Sequence, residues 1–157
     1  IGYFLTEWGL SILGIIHMYK EYCTMLKKSY TGFVIWLIGF CAMMTLLAFL
    51  PTEDVGLIVR LLNNIMTIGI VILMFMIYKT EKVFWINGVS YEDAVEAGSE
   101  RRRTYAMRYL KRFGIFAAGI FLYSFIAQML QIPYGIDIAI GFVGIVACAF
   151  STMRFKL

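Results

Sequence analysis

The sequence predicts an all-α membrane protein, an antiparallel bundle of five transmembrane helices. Of its 157 residues, 61% are hydrophobic and only 15% are charged, and the mean hydropathy is +0.80. Soluble domains are about 45–50% apolar and about 25% charged, so this chain has more apolar surface than one small core can bury. The charged residues also divide the chain into long uncharged runs. Together these observations exclude a soluble globular enzyme, a disordered tail and a secreted disulfide scaffold.

Uncharged runs predict four of the spans, because a charge near the bilayer centre costs at least about 2.5 kcal/mol on insertion scales. The N-terminal segment, residues 1–19, predicts a fifth, since as a helix it is about 28 Å long and just reaches across the membrane. An interfacial helix over this segment, with four spans, is the alternative. The predicted spans are residues 1–19, 32–50, 57–78, 113–131 and 137–153.

Lysine and arginine residues set the predicted orientation. If the connection at residues 79–112 and the C-terminus share one side of the membrane, every Lys and Arg except Arg60 lies on that side. The positive-inside rule makes that side cytoplasmic, and the N-terminus is outside if the first helix spans. We therefore expect a multi-pass protein of a bacterial plasma membrane. This arrangement accounts for the net charge of +4 without a nucleic-acid partner.

Residues 79–112 form the single long connection, predicted to be a cytoplasmic amphipathic helical loop. Its 34 residues are fewer than the roughly 40 that usually fold without a metal or disulfides, which leaves no room for a soluble catalytic domain. Residues 83–86 are apolar and aromatic, a composition that favours the headgroup level. Ser90 is predicted to cap a short helix that ends at Gly98, and Ser99 to cap a second helix over residues 100–131.

Basic and aromatic residues of this loop predict a docking surface for a regulatory lipid or a protein partner. The simpler interpretation is plain anchoring, because anionic headgroups attract Lys and Arg beside a membrane helix. Membrane lipids are thus an expected partner under both interpretations. The candidate docking residues are Trp85, Arg101, Arg102, Arg103, Arg108, Lys111 and Arg112.

Small residues on the fourth and fifth spans predict close helix packing. Helices in lipid gain little from hydrophobicity and associate where small side chains let the backbones approach. We therefore expect these two spans to pack tightly on each other. The small residues predicted to make this contact include Gly114 and Ala118 on the fourth span and Gly141 and Gly144 on the fifth.

Polar side chains within the spans gather in the outer half of the predicted bundle. On the third span they recur at three- and four-residue spacing and share one face. Amide side chains in hydrocarbon need partners, since an unsatisfied amide costs several kcal/mol. The candidate outer cluster consists of Glu7, Arg60, Asn63, Asn64, Thr67, Gln128, Gln131 and Asp137.

Two interpretations of this outer cluster stay open. In the first, Glu7 and Arg60 pair across helices, and the amides complete an outward-facing vestibule or solute site. In the second, Glu7 and Arg60 reach out to the headgroups while the amides bond neighbouring helices. A structure that shows the partners of Arg60 distinguishes the two.

No motif in the chain carries recognisable catalytic or cofactor chemistry. His17 is the only histidine, and the three cysteines show no paired spacing, so neither a metal site nor a cofactor is predicted. The short chain, the small-residue faces and the basic loop favour a non-catalytic accessory, assembly or regulatory subunit of a larger membrane complex. The alternatives are a channel or transporter protomer for a small solute or ion and, least favoured, a membrane-embedded enzyme. Other membrane subunits or further copies of the chain are the expected protein partners.

Overall fold

The computed structural model describes residues 26–49, 51, 54–86, 88–153 and 155–157, and this part is helical with no strand. The elements in chain order are α1 Thr31–Ala48, α2 Val55–Thr80, a 3-10 turn Val83–Trp85, α3 Tyr91–Glu96, α4 Gly98–Met129 and α5 Tyr134–Thr152. The predicted all-α fold is confirmed, and α1, α2, α4 and α5 are each long and apolar enough to cross a membrane. The predicted first span, residues 1–19, lies outside the described residues, and Glu7 with it.

The helices α2 and α4 form the centre of the bundle. They pack along each other more extensively than any other pair, α5 packs on both, and α1 packs mainly on α2. No residue of α1 is buried. At one end of the bundle the start of α2 meets the end of α4 and the start of α5. At the other end the end of α2 meets the start of α4, which also contacts the end of α5.

Local chemistry explains where α2 begins and where α4 ends. The Asp54 side chain accepts a hydrogen bond of 3.0 Å from the backbone N–H of Leu57, which is a typical N-cap. The last helical residue of α4 is Met129, and Gln131 follows in the left-handed region with φ 50°. The helix therefore ends two residues before the approximate end expected at residue 131, and Gln131 lies in the turn before Pro133.

Close backbone approach occurs at three glycines, but not in the predicted way. A Cβ at Gly69 would lie 2.3 Å from the Phe40 ring, and one at Gly144 would lie 2.4 Å from the Phe116 ring. A Cβ at Gly114 would meet nothing within 4 Å, and Ala118 is exposed. The small face of α4 thus does not pair with that of α5. Instead a large α4 side chain, Phe116, fills the notch that Gly144 leaves.

Gly141, the third glycine, makes room for a polar side chain of α2. A Cβ at this position would lie 2.5 Å from Oδ1 of Asn63. The fifth helix therefore accommodates an aromatic ring of α4 and an amide of α2 along one face. This face fixes α5 in the angle between the two central helices.

A hydrophobic core of buried residues lies at the end of the bundle where α4 begins. Residues 81–86 and 88–113 together with residues 26–30 and 155–157 surround it, and we call this unit the cap; α2 adds Ile77 to the core. Tyr91 donates a hydrogen bond to the backbone oxygen of Leu26 over 2.5 Å, and Trp85 donates one to that of Ser29 over 3.1 Å. The buried apolar residues of this core are Leu26, Ile77, Val83, Phe84, Ile86, Ala94, Tyr105, Ala106, Tyr109 and Phe113.

Three of the four apolar residues at 83–86 pack inside the cap, so their side chains contact protein, and their depth relative to the headgroups stays a prediction. Val83, Phe84 and Ile86 are all buried. Phe84 makes edge-on ring contacts with Tyr30 and with Tyr91, with centroids 5.4 and 5.5 Å apart. Tyr30 is distant from Phe84 in the chain, so this contact joins the segment before α1 to the cap.

Of the two helix caps predicted inside the cap, the structure contains the one at Ser90 but not the one at Ser99. Ser90 and Asp93 form the capping box of α3, as the prediction of a cap at Ser90 requires. Gly98 has φ +74°, a conformation that favours glycine, and marks the corner between α3 and α4. Ser99 does not cap α4, because its hydroxyl donates instead to Oε1 of Glu81 over 2.7 Å.

Candidate functional site

The polar residues predicted on α2 meet partners on α4 and α5 at the end opposite the cap. Arg60 lies in the second turn of α2 and is 8% exposed. Its Nη1 donates to Oε1 of Gln128 over 2.5 Å, and its Nη2 donates to the backbone oxygen of Ile132 over 2.6 Å. Its Nε lies 3.0 Å from Oδ2 of Asp137, an ion pair without the alignment of a hydrogen bond. Each guanidinium nitrogen therefore faces an acceptor.

Asp137 joins the other two helices to this arginine. The residue is 1% exposed and lies in the first turn of α5, where the helix dipole stabilises a negative charge. Its Oδ1 accepts a hydrogen bond of 2.7 Å from the Tyr123 hydroxyl, and its backbone oxygen accepts one of 2.9 Å from Nδ2 of Asn63. The carboxylate is thus held from both α2 and α4.

Asn64 supplies a further bridge one residue along α2. Its Nδ2 donates to the Ser124 hydroxyl and to the backbone oxygen of Arg60, each over 2.8 Å. Its Oδ1 is buried without a hydrogen-bond partner among the described residues. Thr67 bonds only back to the Asn64 carbonyl, over 2.9 Å, so in these contacts it stabilises its own helix and does not reach another.

Most of the predicted outer cluster is brought together. We call the connected set the polar cluster, and it consists of Arg60, Asn63, Asn64, Tyr123, Ser124, Gln128 and Asp137. Glu7, the partner proposed for Arg60, lies outside the described residues, and the described partner is Asp137. Tyr123 was missed, although a tyrosine within an apolar span signals that its hydroxyl needs a partner.

An open cleft of about 340 Å³ adjoins the polar cluster. Gln128 and Gln131 are exposed there, while the guanidinium of Arg60 is already bound by its neighbours. The described residues hold no group of three His, Cys, Asp or Glu that could bind a metal ion. The rim can hydrogen-bond a small polar molecule. The cleft is lined by Asp54, Gly56, Arg60, Gln128, Gln131, Ile132, Pro133 and Tyr134.

The predicted docking residues divide into buried and exposed ones. Arg102 is only 5% exposed; it donates to the backbone oxygen of Ala94 over 3.0 Å and pairs with Oε2 of Glu81 at 2.9 Å. Arg102 therefore stabilises the cap and is not available for docking. Trp85 is half-buried against α1. The exposed candidates are Arg101, Arg103, Arg108, Lys111 and Arg112.

Two of the open clefts on the cap have volumes of about 390 Å³ each. One, which we call the cap cleft, is lined by Gly88, Val89, Asp93, Glu96, Ala97, Arg101, Tyr105, Phe155, Lys156 and Leu157. The other, which we call the α2/α4 cleft, is lined by Tyr78, Arg103, Thr104, Met107, Arg108 and Lys111. The cap cleft thus mixes both charge signs, whereas the ionisable side chains around the α2/α4 cleft are mainly cationic.

Tyr105 forms part of the wall of the cap cleft. Burial raises the pKa of the Tyr105 hydroxyl, and its hydrogen bond of 3.0 Å with the Tyr109 hydroxyl raises the pKa further. Tyr105 therefore stays neutral at physiological pH. It contributes a fixed hydrogen-bonding wall and not a base.

The chain matches no protein-family model, no curated protein and no solved structure. No relative therefore supplies an activity for comparison. The polar cluster and the clefts of the cap are therefore the candidate functional sites of the described residues.

Proposed function

We propose that this is an integral membrane protein whose four long helices cross the plasma membrane, with the cap in the cytoplasm. Large apolar side chains such as Ile35, Phe121 and Phe142 point outward on three different helices. Monomeric soluble proteins rarely expose contiguous apolar surface on this scale, and lipid would cover it. The exposed Lys and Arg side chains of the cap support the cytoplasmic orientation by the positive-inside rule.

Within that membrane we propose a non-catalytic role as an accessory, assembly or regulatory subunit that docks a partner protein on the cap. The observation that carries this proposal is the cap cleft. It lies on a unit with a buried apolar core, in which the buried Arg102 pairs with the partly exposed Glu81, so the surface exists before a partner arrives. Binding to a preorganised surface avoids the loss of conformational entropy that ordering a loop would cost.

The charges around the cap cleft favour a polypeptide as the occupant. Two acidic residues, Asp93 and Glu96, and two basic residues, Arg101 and Lys156, line it together. A lipid phosphate would be repelled by the two carboxylates. A segment of a partner protein can present both a basic and an acidic side chain, and complementary charges of this kind fix its register.

The polar cluster supports the same proposal, because its groups are used to hold helices together. Arg60 and Asp137 each contact two other helices. Polar side chains that bond across helices stabilise membrane bundles in this way. In this proposal the cluster therefore stabilises the packing of the three helices and does not catalyse a reaction.

Affinity purification from native membranes, followed by identification of co-purifying proteins, tests the docking role. We expect a stoichiometric partner with the unchanged chain and its loss with the double variant R101Q/K156Q. The matched control K27Q/K28Q also removes two positive charges from the cap, but Lys27 and Lys28 line neither cleft, so this variant should retain the partner. Absence of any partner, or its retention by R101Q/K156Q, contradicts the proposal.

A second candidate function is a channel or transporter protomer, favoured by the cleft beside the polar cluster. Its exposed amides, Gln128 and Gln131, could receive a small polar solute next to Arg60. This function predicts a homo-oligomer in mild detergent and solute flux in proteoliposomes that falls in Q128L. A chain that is monomeric in detergent and gives no flux above protein-free vesicles excludes it.

A further inference from the structure

We infer that the α2/α4 cleft binds the phosphate headgroup of an anionic phospholipid from the surrounding membrane. The inference rests on the proposed membrane location, but it assigns a ligand to a site that the docking of a partner protein does not use. The cleft lies where the end of α2 passes the basic part of α4.

The cationic side of the cleft comes from one face of α4. Residues three and four apart are neighbours on a helix, so Arg108 and Lys111 lie beside Thr104 at successive turns. Arg103 joins them, with its guanidinium over the Tyr78 ring at 5.8 Å. Three cations and a hydroxyl therefore converge on a single depression, a donor set suited to phosphate oxygens.

Little negative charge offsets this set. The neighbouring carboxylate is Glu81, whose Oε1 lies 3.5 Å from Nε of Arg103. That carboxylate already pairs with the buried Arg102 at 2.9 Å and accepts a hydrogen bond from Ser99. The side chain of Arg103 remains 55% exposed. The α2/α4 cleft thus keeps an excess of positive charge.

The rest of the cleft is apolar, which favours a lipid over free phosphate. Met107 and the Tyr78 ring line it together with the cations. Farther from the cap, Phe75 of α2 and Ile115 of α4 are 47% and 73% exposed and extend the apolar surface. An acyl chain can follow this surface while its phosphate contacts the basic residues. Inorganic phosphate would use the cations alone.

The position along the bundle also fits a headgroup. Lys111 and Arg112 are the last charged residues of α4, and the uncharged run that follows starts at residue 113. The phosphates of the cytoplasmic leaflet lie at such a boundary between basic residues and an apolar helix. The cleft therefore opens at the depth where a phosphate is present.

Binding of short-chain phosphatidylglycerol to the purified full-length chain in detergent, followed by native mass spectrometry, tests the inference. Phosphatidylcholine with the same chains and inorganic phosphate are the comparison probes. We expect phosphatidylglycerol to bind at least about tenfold more tightly than phosphatidylcholine, and R108Q/K111Q to lose about that factor. The control K27Q/K28Q removes two charges from the cap outside the cleft and should change the affinity by less than about twofold.

A second variant, Met107→Glu, keeps every cation but places a negative charge among them, and it should weaken phosphatidylglycerol binding as strongly. All three residues changed in the cleft are exposed or half-exposed, so the unfolding midpoints of the variants should match that of the unchanged chain. Equal losses in R108Q/K111Q and K27Q/K28Q would overturn the inference, since they would indicate diffuse attraction.

Two other results also contradict the site. One is equal affinity for the two lipids, and the other is displacement of the lipid by inorganic phosphate at a similar concentration. Loss of the lipid site with retention of a co-purifying partner would refute this inference alone. Loss of the partner with intact lipid binding would refute the docking role alone.

Discussion

The ion pair of Arg60 and Asp137 is the most constrained contact in the polar cluster. Both residues are buried, and both are also bound by groups from other helices. Two buried charges lose their hydration, so such a pair adds little to stability relative to apolar residues of the same size. Removal of one partner, however, leaves the other charge buried and unpaired, which costs about 3–5 kcal/mol.

Asp137→Asn should therefore lower the free energy of unfolding by about 3 kcal/mol, while the double variant R60M/D137L recovers most of that loss. Tyr123→Phe removes only one hydrogen bond of the cluster and should cost about 1 kcal/mol. Denaturant titration in mixed micelles measures all three. A loss near the average of about 0.6 kcal/mol for a hydrogen bond between membrane helices in Asp137→Asn would show that the pair is solvated.

Gly69 makes room on α2 for an aromatic side chain of α1. A Cβ at Gly69 would overlap the Phe40 ring, which is itself stacked on Trp36 with centroids 5.1 Å apart. Gly69→Ala should therefore lower the free energy of unfolding by about 1–3 kcal/mol, the usual cost of overpacking. Adding Phe40→Ala should relieve the overlap, so the two effects should not be additive. The measurement is a double-mutant cycle on thermal unfolding.

Gly119 offers a matched comparison for that change. A Cβ there would meet nothing within 4 Å, and the residue lies inside α4. Gly119→Ala should raise stability slightly, by up to about 1 kcal/mol, because alanine is the better helix former. Equal effects at the two glycines would mean that the fit of Phe40 is unimportant.

At the scale of elements, Glu81 connects α2, α3 and α4 within the cap. It ends α2 in the left-handed region with φ 58°, and its carboxylate contacts Ser99, Arg102 and Arg103. Arg102 in turn donates to the carbonyl of Ala94 in α3. One carboxylate and one guanidinium thus hold three helices in a fixed arrangement.

Arg102→Gln should loosen the cap and leave the bundle intact. The buried carbonyl of Ala94 loses a charged donor and Glu81 loses its closest cation, an effect on the order of 2 kcal/mol. Hydrogen exchange followed by mass spectrometry should show faster exchange in residues 83–97 and unchanged exchange in residues 61–75. Arg101→Gln, at the exposed neighbouring position, should alter neither segment. Faster exchange throughout the bundle would show that the cap does not fold as its own unit.

At the scale of the whole molecule, the proposed orientation places the two ends on opposite sides of a membrane. Tyr134 is exposed at the polar-cluster end, and Lys156 is exposed on the cap. In a background with the three natural cysteines replaced by alanine, a cysteine at Tyr134 should react with an impermeant maleimide in intact cells. A cysteine at Lys156 should react only after permeabilisation. The reverse pattern would invert the topology.

The parts of the structure that follow from neighbouring residues could be predicted from the sequence. The long apolar helices, the capping box at Ser90 and the shared face of Arg60, Asn63 and Asn64 depend on three- and four-residue spacing within one element. The folded cap could not be predicted in the same way. Its core joins Phe84 to Tyr30, and no local pattern states which distant segment will cover an apolar residue.

The candidate site shows the same limit. The sequence indicates that Arg60 and Asp137 belong to one polar region, but which anion pairs with Arg60 depends on how α2 and α5 are rotated. That rotation is set by side-chain fit, such as Asn63 over Gly141. The burial of Arg102 likewise depends on the left-handed turn at Glu81. Both are tertiary effects. The second one explains why Arg102 is buried although it belongs to a basic run that was expected to form an exposed surface.

The peripheral position of α1 has a consequence for biogenesis. Within the described part of the chain this helix buries none of its own residues, so α2, α4 and α5 can complete their mutual contacts before it attaches. Of the four long helices α1 is translated first, yet we expect it to dock last. Insertion and assembly would then run in opposite orders, and a ribosome-stalled chain that still lacks α5 should hold α1 loosely.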